Sequence, residues 1–236
     1  MKIIRKIIRK IKYNFKFLNR DNETKLNFTV NANFDSKLSN LMNLYGSDKG
    51  GMNDQHNYAE YYSYMFKKRR RIVKNFLEIG LGTTNVDIAC NMGAEGKPLA
   101  SLKAWRDYFP NAEIYGGDID KDILKDDVRI KTFHVDQTDQ TSILSMFKKI
   151  GDKKFDIILD DGLHEFSANI SLFENSIKYL DNNGEYIIED VYYKDKKKFI
   201  NYFKDLDYQF SLIDIYHKKN ILNNCIIVIK KNNEKI

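Results

Sequence analysis

Two short stretches hold most of the chemistry available to this chain: Phe155 to His164, FDIILDDGLH, and Tyr186 to Val191, YIIEDV. Each is an apolar run that ends in carboxylates. A run of this length suits a strand buried on both faces of a parallel sheet. Such strands deliver polar residues to their carboxyl ends, where open α/β sheets bind ligands. Asp160, Asp161, Glu189 and Asp190 would then meet at one rim, with His164 beside them. Crowded carboxylates repel each other, and a divalent cation relieves the repulsion; oxygen ligands suit a hard ion. Single acids at strand ends are common as helix caps and solvated loop residues. Two clusters on adjacent strands, with a histidine three residues after Asp161, favour a site.

Other candidates lie in loops. Glu78-Ile79-Gly80-Leu81-Gly82-Thr83-Thr84 follows an apolar run from Val73 to Ile79, and its glycines permit a tight turn and close backbone approach to a ligand. It is not a dinucleotide fingerprint, because the third glycine would fall at Asn85, and no phosphate-binding P-loop pattern is present. Glu78 could accept hydrogen bonds from a ligand ammonium or hydroxyl. Asp118 closes a second strand, where an acid commonly binds ribose hydroxyls. Asp136-Gln137 closes a third. The stretch YGSDKGGMNDQHNYAEYY offers Tyr45, Asp48, Lys49, His56 and Tyr58 as ligand contacts, although residue types alone read more simply as a glycine-rich connector. His134, within a strand, reads as structural, and Trp105 as core.

The elements that must position these residues alternate β and α. Strands are expected over 73–79, 113–115, 129–135, 155–159, 184–188, 208–216 and 222–229, the last two as a closing pair. Helices are expected over 36–44, 58–71, 99–109, 141–150, 166–180 and 196–203. Ser36 reads as an N-cap and Pro110 as a stop. This is the pattern of an open, doubly wound sheet, an α/β Rossmann-like fold. Asn19 to Phe34 reads as a linker. Met1 to Leu18 predicts an amphipathic helix, with Ile3, Ile4, Ile7, Ile8 and Ile11 on one face and basic residues opposite. It could lie on an anionic membrane surface, or pack on the body or on a second subunit. The expected division is 1–20 (basic helix), 21–70 (helical extension and loop) and 71–236 (Rossmann-like domain).

The 236 residues, 42% hydrophobic and 31% charged, suit a globular α/β domain with an extension. Residues 1–20 hold eight Lys or Arg and no acids, so the net charge of +6 leaves −2 for the rest. A nucleic-acid footprint over the body is not expected. Cys90 and Cys225 lie far apart without metal spacing, which suits a reducing compartment. No apolar run reaches the length of a transmembrane helix or signal-peptide core. A cytoplasmic protein is expected.

FLEIGLGTT, YGGDID, HVDQTD and FDIILDD together resemble the motifs of class I S-adenosylmethionine-dependent methyltransferases over about residues 40–230. YGSDKG with HNYAEYY, then SLKAWRDYFPNAEIYGGDID, then DDGLH with IIED 28 residues on, are similar to metal-dependent sugar O-methyltransferases of the macrocin type. The resemblance implies a seven-stranded sheet ending in an antiparallel hairpin. It implies metal ligands at Asp161, Glu189 and Asp190, with Mg²⁺, Mn²⁺ or Fe²⁺ as the ion, and His164 as general base. It implies S-adenosyl-L-methionine among Glu78, Gly80, Gly82, Asp118, Asp136, Gln137 and Asp160. Two positions depart from it: Thr84 stands where many methyltransferases have a third glycine, and Leu99-Ala100 where relatives often carry glycine.

The expected function is methylation of a sugar hydroxyl. The first expectation for the acceptor is a nucleotide-activated deoxysugar or heptose of bacterial surface or capsule polysaccharide; a phosphoramidate or other small oxygen nucleophile is the second. A homo-oligomer is expected. A nicotinamide-dependent dehydrogenase would share the sheet but would not need Asp161, Glu189 and Asp190 together. A non-catalytic module tethered through the basic helix is the third reading.

Overall fold

In a computed structural model, the structure describes residues 19–20, 23–28, 35–52 and 56–232. The expected basic helix over Met1 to Leu18 lies outside the described residues. The strands are β1 (Asn19–Arg20), β2 (Glu23–Phe28), β3 (Asn75–Ile79), β4 (Glu113–Asp118), β5 (Ile130–His134), β6 (Phe155–Asp160), β7 (Leu180–Ile188), β8 (Tyr208–Ile215) and β9 (Cys225–Lys231). They form one sheet in the order β1-β2-β8-β9-β7-β6-β3-β4-β5. All seven expected strands form. β3 to β7 run parallel, and β9 is antiparallel to both β7 and β8.

Two strands go beyond the expectation. β2 runs parallel to β8 from Glu23 beside Phe210 to Phe28 beside Ile215, where a linker was expected. The physical reason is main-chain: the edge of β8 offers unpaired N–H and C=O groups, and any extended segment can satisfy them whatever its side chains.

The chain leaves β3 toward β4 and β5 on one side, then returns to lay β6 and β7 on the other. The order therefore reverses between β3 and β6, the place where open α/β sheets form a ligand crevice. Among the described residues, six α-helices cover the sheet. On one face α1 (Lys37–Tyr45), α2 (Tyr58–Phe66) and α3 (Ala100–Tyr108) enclose an aromatic core of Tyr62, Phe66, Phe76, Trp105 and Phe109. On the other, α4 (Gln140–Ile150), α5 (Phe166–Ser176) and α6 (Lys196–Phe203) bury Phe147, Phe155, Phe173 and Phe203.

Local chemistry sets several boundaries. The Ser36 hydroxyl accepts from Ser39 N at 3.1 Å and starts α1, as expected. Gly46 ends it at φ 84°. Leu99, before α3, takes φ 64°, a left-handed conformation that favours glycine. Helix α2 stops at Phe66 rather than continuing to Arg71. Residues 67–71 read KKRRR, and like charges three and four apart disfavour a further turn.

Candidate active site

The carboxyl ends of the parallel strands open onto a cavity of about 300 Å³. Its wall is built from Gly80 to Thr83 after β3, Asp118 and Ile119 at β4, Val135 to Thr138 after β5, Asp161 to His164 after β6, and Asp190 after β7. A 3-10 turn at Asp48–Gly50 closes the near side with Asp48 and Lys49.

The floor is a set of backbone turns pinned by side chains. Gly80 has φ 94°, and a Cβ there would collide with the Asp161 carbonyl oxygen. Only glycine lets the β3 and β6 loops approach so closely. Leu81 N donates to Asp118 Oδ2 at 2.6 Å, and Asp120 N to Oδ1 at 2.8 Å. Asp118 is thereby fixed on the wall; burial pushes its carboxyl up, against those backbone bonds. Gln137 bridges two loops: its Nε2 donates to Asp160 Oδ1 at 2.6 Å, and its Oε1 accepts from Leu163 N at 2.9 Å.

The acids divide into two groups by the pleat. Asp161 and Asp190 face the cavity. Glu78 and Glu189 point to the opposite side, under α2, and are fully buried. Lys49 stands between the groups, 2% exposed, with Nζ 2.5 Å from Asp161 Oδ2, 2.7 Å from Glu189 Oε2 and 3.8 Å from Glu78 Oε1. Burial alone would lower its ammonium, yet Asp161 and Glu189 hold it well above the usual lysine range. Burial drives the Asp161 and Glu189 carboxyls up, with Lys49 opposing. Burial pushes the Glu78 carboxyl up to about 8, with Lys49 opposing.

Two tyrosines one helical turn apart serve the acids of β7. Tyr62 OH donates to Glu189 Oε1 at 2.5 Å, and Tyr58 OH to Asp190 Oδ1 at 2.6 Å. Asp190 Oδ1 is also 3.3 Å from His56 Nδ1, while Oδ2 lies 3.6 Å from His164 Nε2. His164 Nδ1 is buried without a partner. His164 and Asp190 both hold left-handed backbone, φ 57° and φ 53°, unusual for non-glycine residues and frequent at functional sites. Asp161, His164 and Asp190 each offer a ligand atom, all within 4.8 Å of one another.

The expected residues thus separate. Gly80, Gly82, Asp118, Asp136, Gln137, Asp161, His164, Asp190, Asp48 and Lys49 line the cavity. Glu78 and Glu189 stand behind it, because alternation along β3 and at the end of β7 turns them to the helical side. Asp160 also lies behind the wall, its oxygens taken by Gln137 Nε2 and Asn169 Nδ2, the latter at 2.9 Å. Burial pushes its carboxyl up to about 6. Tyr58 and His56 support Asp190 instead of lining the cavity; the two rings stack at 4.8 Å. Tyr45 is drawn away altogether, its hydroxyl donating to Asp107 Oδ2 at 2.5 Å on α3. Tyr62, Thr83, Lys97 and Ser101 were not anticipated. The signal for Tyr62 was present: residues four apart on a helix share a face, as the acids they serve share a strand end.

No protein-family model matches the chain. Over 154 residues it is 31% identical to the 8-demethyl-8-alpha-L-rhamnosyl tetracenomycin-C 2'-O-methyltransferase of Streptomyces olivaceus, covering 65% of this chain and 37% of that protein. It is 30% identical to the mycinamicin VI 2''-O-methyltransferase of Micromonospora griseorubida over 155 residues, 66% of this chain and 36% of that one. The chain therefore spans little more than a third of the relatives it matches. Among solved structures it superposes on the MycE methyltransferase of the mycinamycin biosynthetic pathway, in complex with Mg and SAH, with a TM-score of 0.62, 25% identity, and coverage of 85% of this chain and 56% of that one. The chain has the Rossmann-like fold of the class I methyltransferases. In that fold the cavity at the β3/β6 switch point is the ligand crevice, and its acid wall lies at the ends of β6 and β7. The methyltransferase sheet here carries β1 and β2 in addition, beyond β8.

Proposed function

We propose that this chain is an S-adenosylmethionine-dependent, divalent-metal-dependent O-methyltransferase acting on a hydroxyl of a sugar. The observation that carries the reading is the convergence of Asp161, His164 and Asp190 on the wall of the glycine-floored cavity. The residues fit both groups. The Asp161 and Asp190 carboxylate oxygens suit a hard divalent ion, His164 beside them is placed to take a proton, and the cavity is of ligand-binding size. The sugar O-methyltransferase relatives point the same way.

When bound, S-adenosylmethionine supplies a sulfonium methyl group and the divalent ion supplies the charge that favours the alkoxide form of a hydroxyl. The chain does the rest. Asp161 and Asp190 would hold the ion; Glu189, the third acid of the expected set, lies behind them with its oxygens bonded to Tyr62 and Lys49. Tyr58 and His56 keep Asp190 aimed at the cavity. Gly80 and Gly82 would let main chain approach the cofactor, and Asp118, Asp136 and Gln137, which line the same cavity, would meet its polar groups. His164 takes the hydroxyl proton on Nε2, the nitrogen that faces Asp190.

The test is direct. Calorimetry should show S-adenosylhomocysteine binding and no NADH binding; the reverse result overturns the assignment. Methyl transfer to a panel containing a nucleotide-activated deoxysugar and a rhamnosyl glycoside should require Mg²⁺ and stop in chelator. Transfer that is undiminished in chelator removes the metal from the proposal.

A further inference from the structure

Methyl transfer to a hydroxyl has no evident use for a buried ammonium, yet Lys49 is set at the centre of the acid cluster. It is tightly placed. Its main-chain N–H donates to Ser47 Oγ at 3.4 Å, and a Cβ at the neighbouring Gly50 would collide with Asn43. Gly51 follows with φ 87°. The turn that carries Lys49 is thereby packed against α1, and its ammonium is aimed at three carboxylates. It meets Asp161 at 2.5 Å, Glu189 at 2.7 Å and Glu78 at 3.8 Å.

We propose that Lys49 is the built-in counter-cation of the site: it holds Asp161 and Glu189 together when no metal is bound, and it moderates the affinity of the divalent ion that binds beside it. The inference rests on the metal-dependent reading above and adds to it a residue and a role. Glu189 is fully buried and Asp161 largely so, and a carboxylate taken out of water is costly unless it is paired. Glu189 has both oxygens engaged by protein, Oε1 by Tyr62 and Oε2 by Lys49, so its position is set before any ion arrives. A metal held by Asp161 would share that carboxylate with a fixed positive charge, which weakens its binding. Lys49 is therefore a positioning residue. It stabilises the empty site and keeps the ion exchangeable.

The test compares the parent chain with Lys49→Met and with the double variant Lys49→Met/Glu189→Gln. Melting temperatures are read in chelator, and Mn²⁺ binding is read by electron paramagnetic resonance. In chelator Lys49→Met should melt lower by at least roughly 5 °C, because a buried carboxylate pair has lost its partner. Its Mn²⁺ affinity should rise, on the order of tenfold or more, since the competing charge is gone. The double variant should regain much of the lost melting temperature. Lys49→Met that melts with the parent overturns the proposal. So does parental or weaker Mn²⁺ binding in a folded Lys49→Met. If Lys49→Met does not fold, the double variant decides: recovery of a folded protein supports the pairing, and failure of both overturns it. A parent that binds no Mn²⁺ defeats the metal reading itself, while the chelator measurements still decide whether Lys49 holds the acids.

Discussion

The Tyr62 hydroxyl donates to Glu189 Oε1 at 2.5 Å, across 127 residues of sequence, and both groups are buried. This bond ties helix α2 to the end of β7. It also fixes one of the two acids that precede the loop to α6. Tyr62→Phe keeps the ring and its packing against Trp105, at 5.6 Å between centroids, and removes only the donor. A buried carboxylate oxygen left unsatisfied costs about 1–3 kcal/mol. Denaturant unfolding in chelator should show a loss of that size with an unchanged m-value. A variant as stable as the parent would mean that water or Lys49 replaces the bond.

Glu78 gives the stability a pH dependence. Burial raises its carboxyl to about 8 in the folded state, against 4.5 as the ordinary value. A raised carboxyl keeps its proton longer in the folded protein than in the unfolded chain. Its contribution is full below about pH 4.5 and is lost as pH rises toward 8. The metal-free parent should therefore lose stability relative to Glu78→Gln between those limits, by roughly a few kcal/mol. Melting temperatures of both proteins across that range check it. Parallel curves would show that Lys49, 3.8 Å away, keeps Glu78 ionised throughout.

Asp160 anchors the loop that carries Asp161 and His164. Its carboxylate accepts from Gln137 Nε2 at 2.6 Å and Asn169 Nδ2 at 2.9 Å. In Asp160→Asn one of these donors must face an amide NH₂ instead of an oxygen. The expected cost is about 1–3 kcal/mol in unfolding free energy. Gln137 lines the cavity and should lose its orientation, so affinity for S-adenosylhomocysteine should fall in the same variant. Calorimetry with unchanged affinity would separate Asp160 from the cofactor site.

His164 is the residue on which the proposed chemistry turns. It follows Asp161 by three positions and its Nε2 faces Asp190. Removing a general base typically lowers rate by about 10²–10⁴. His164→Ala should bind S-adenosylhomocysteine like the parent while its turnover collapses, and raised pH should restore part of the rate. Parental turnover near neutral pH would transfer the role to another group.

Much of this was legible in the order of residue types. Apolar runs ending in acids marked β6 and β7, because a strand buried on both faces needs apolar side chains at every position and sheds polar ones at its end. Glycine at Gly80 marked a loop that must pass close to another backbone, and the neighbour proved to be Asp161. Ser36 announced the start of α1 through a hydroxyl that reaches its own helix. These are local constraints, readable within a few residues. What tertiary structure decided is which distant groups meet. Lys49 contacts acids 112 and 140 positions away, Tyr45 leaves the cavity for Asp107, and β2 joins the sheet through main-chain bonds to β8. The alternation along β3 puts Glu78 on one face or the other, but strand order and helix packing determine that Lys49 waits there. Side-chain identity sets what a residue can bond to; only the register of strands and the seating of helices bring its partner within a few ångströms.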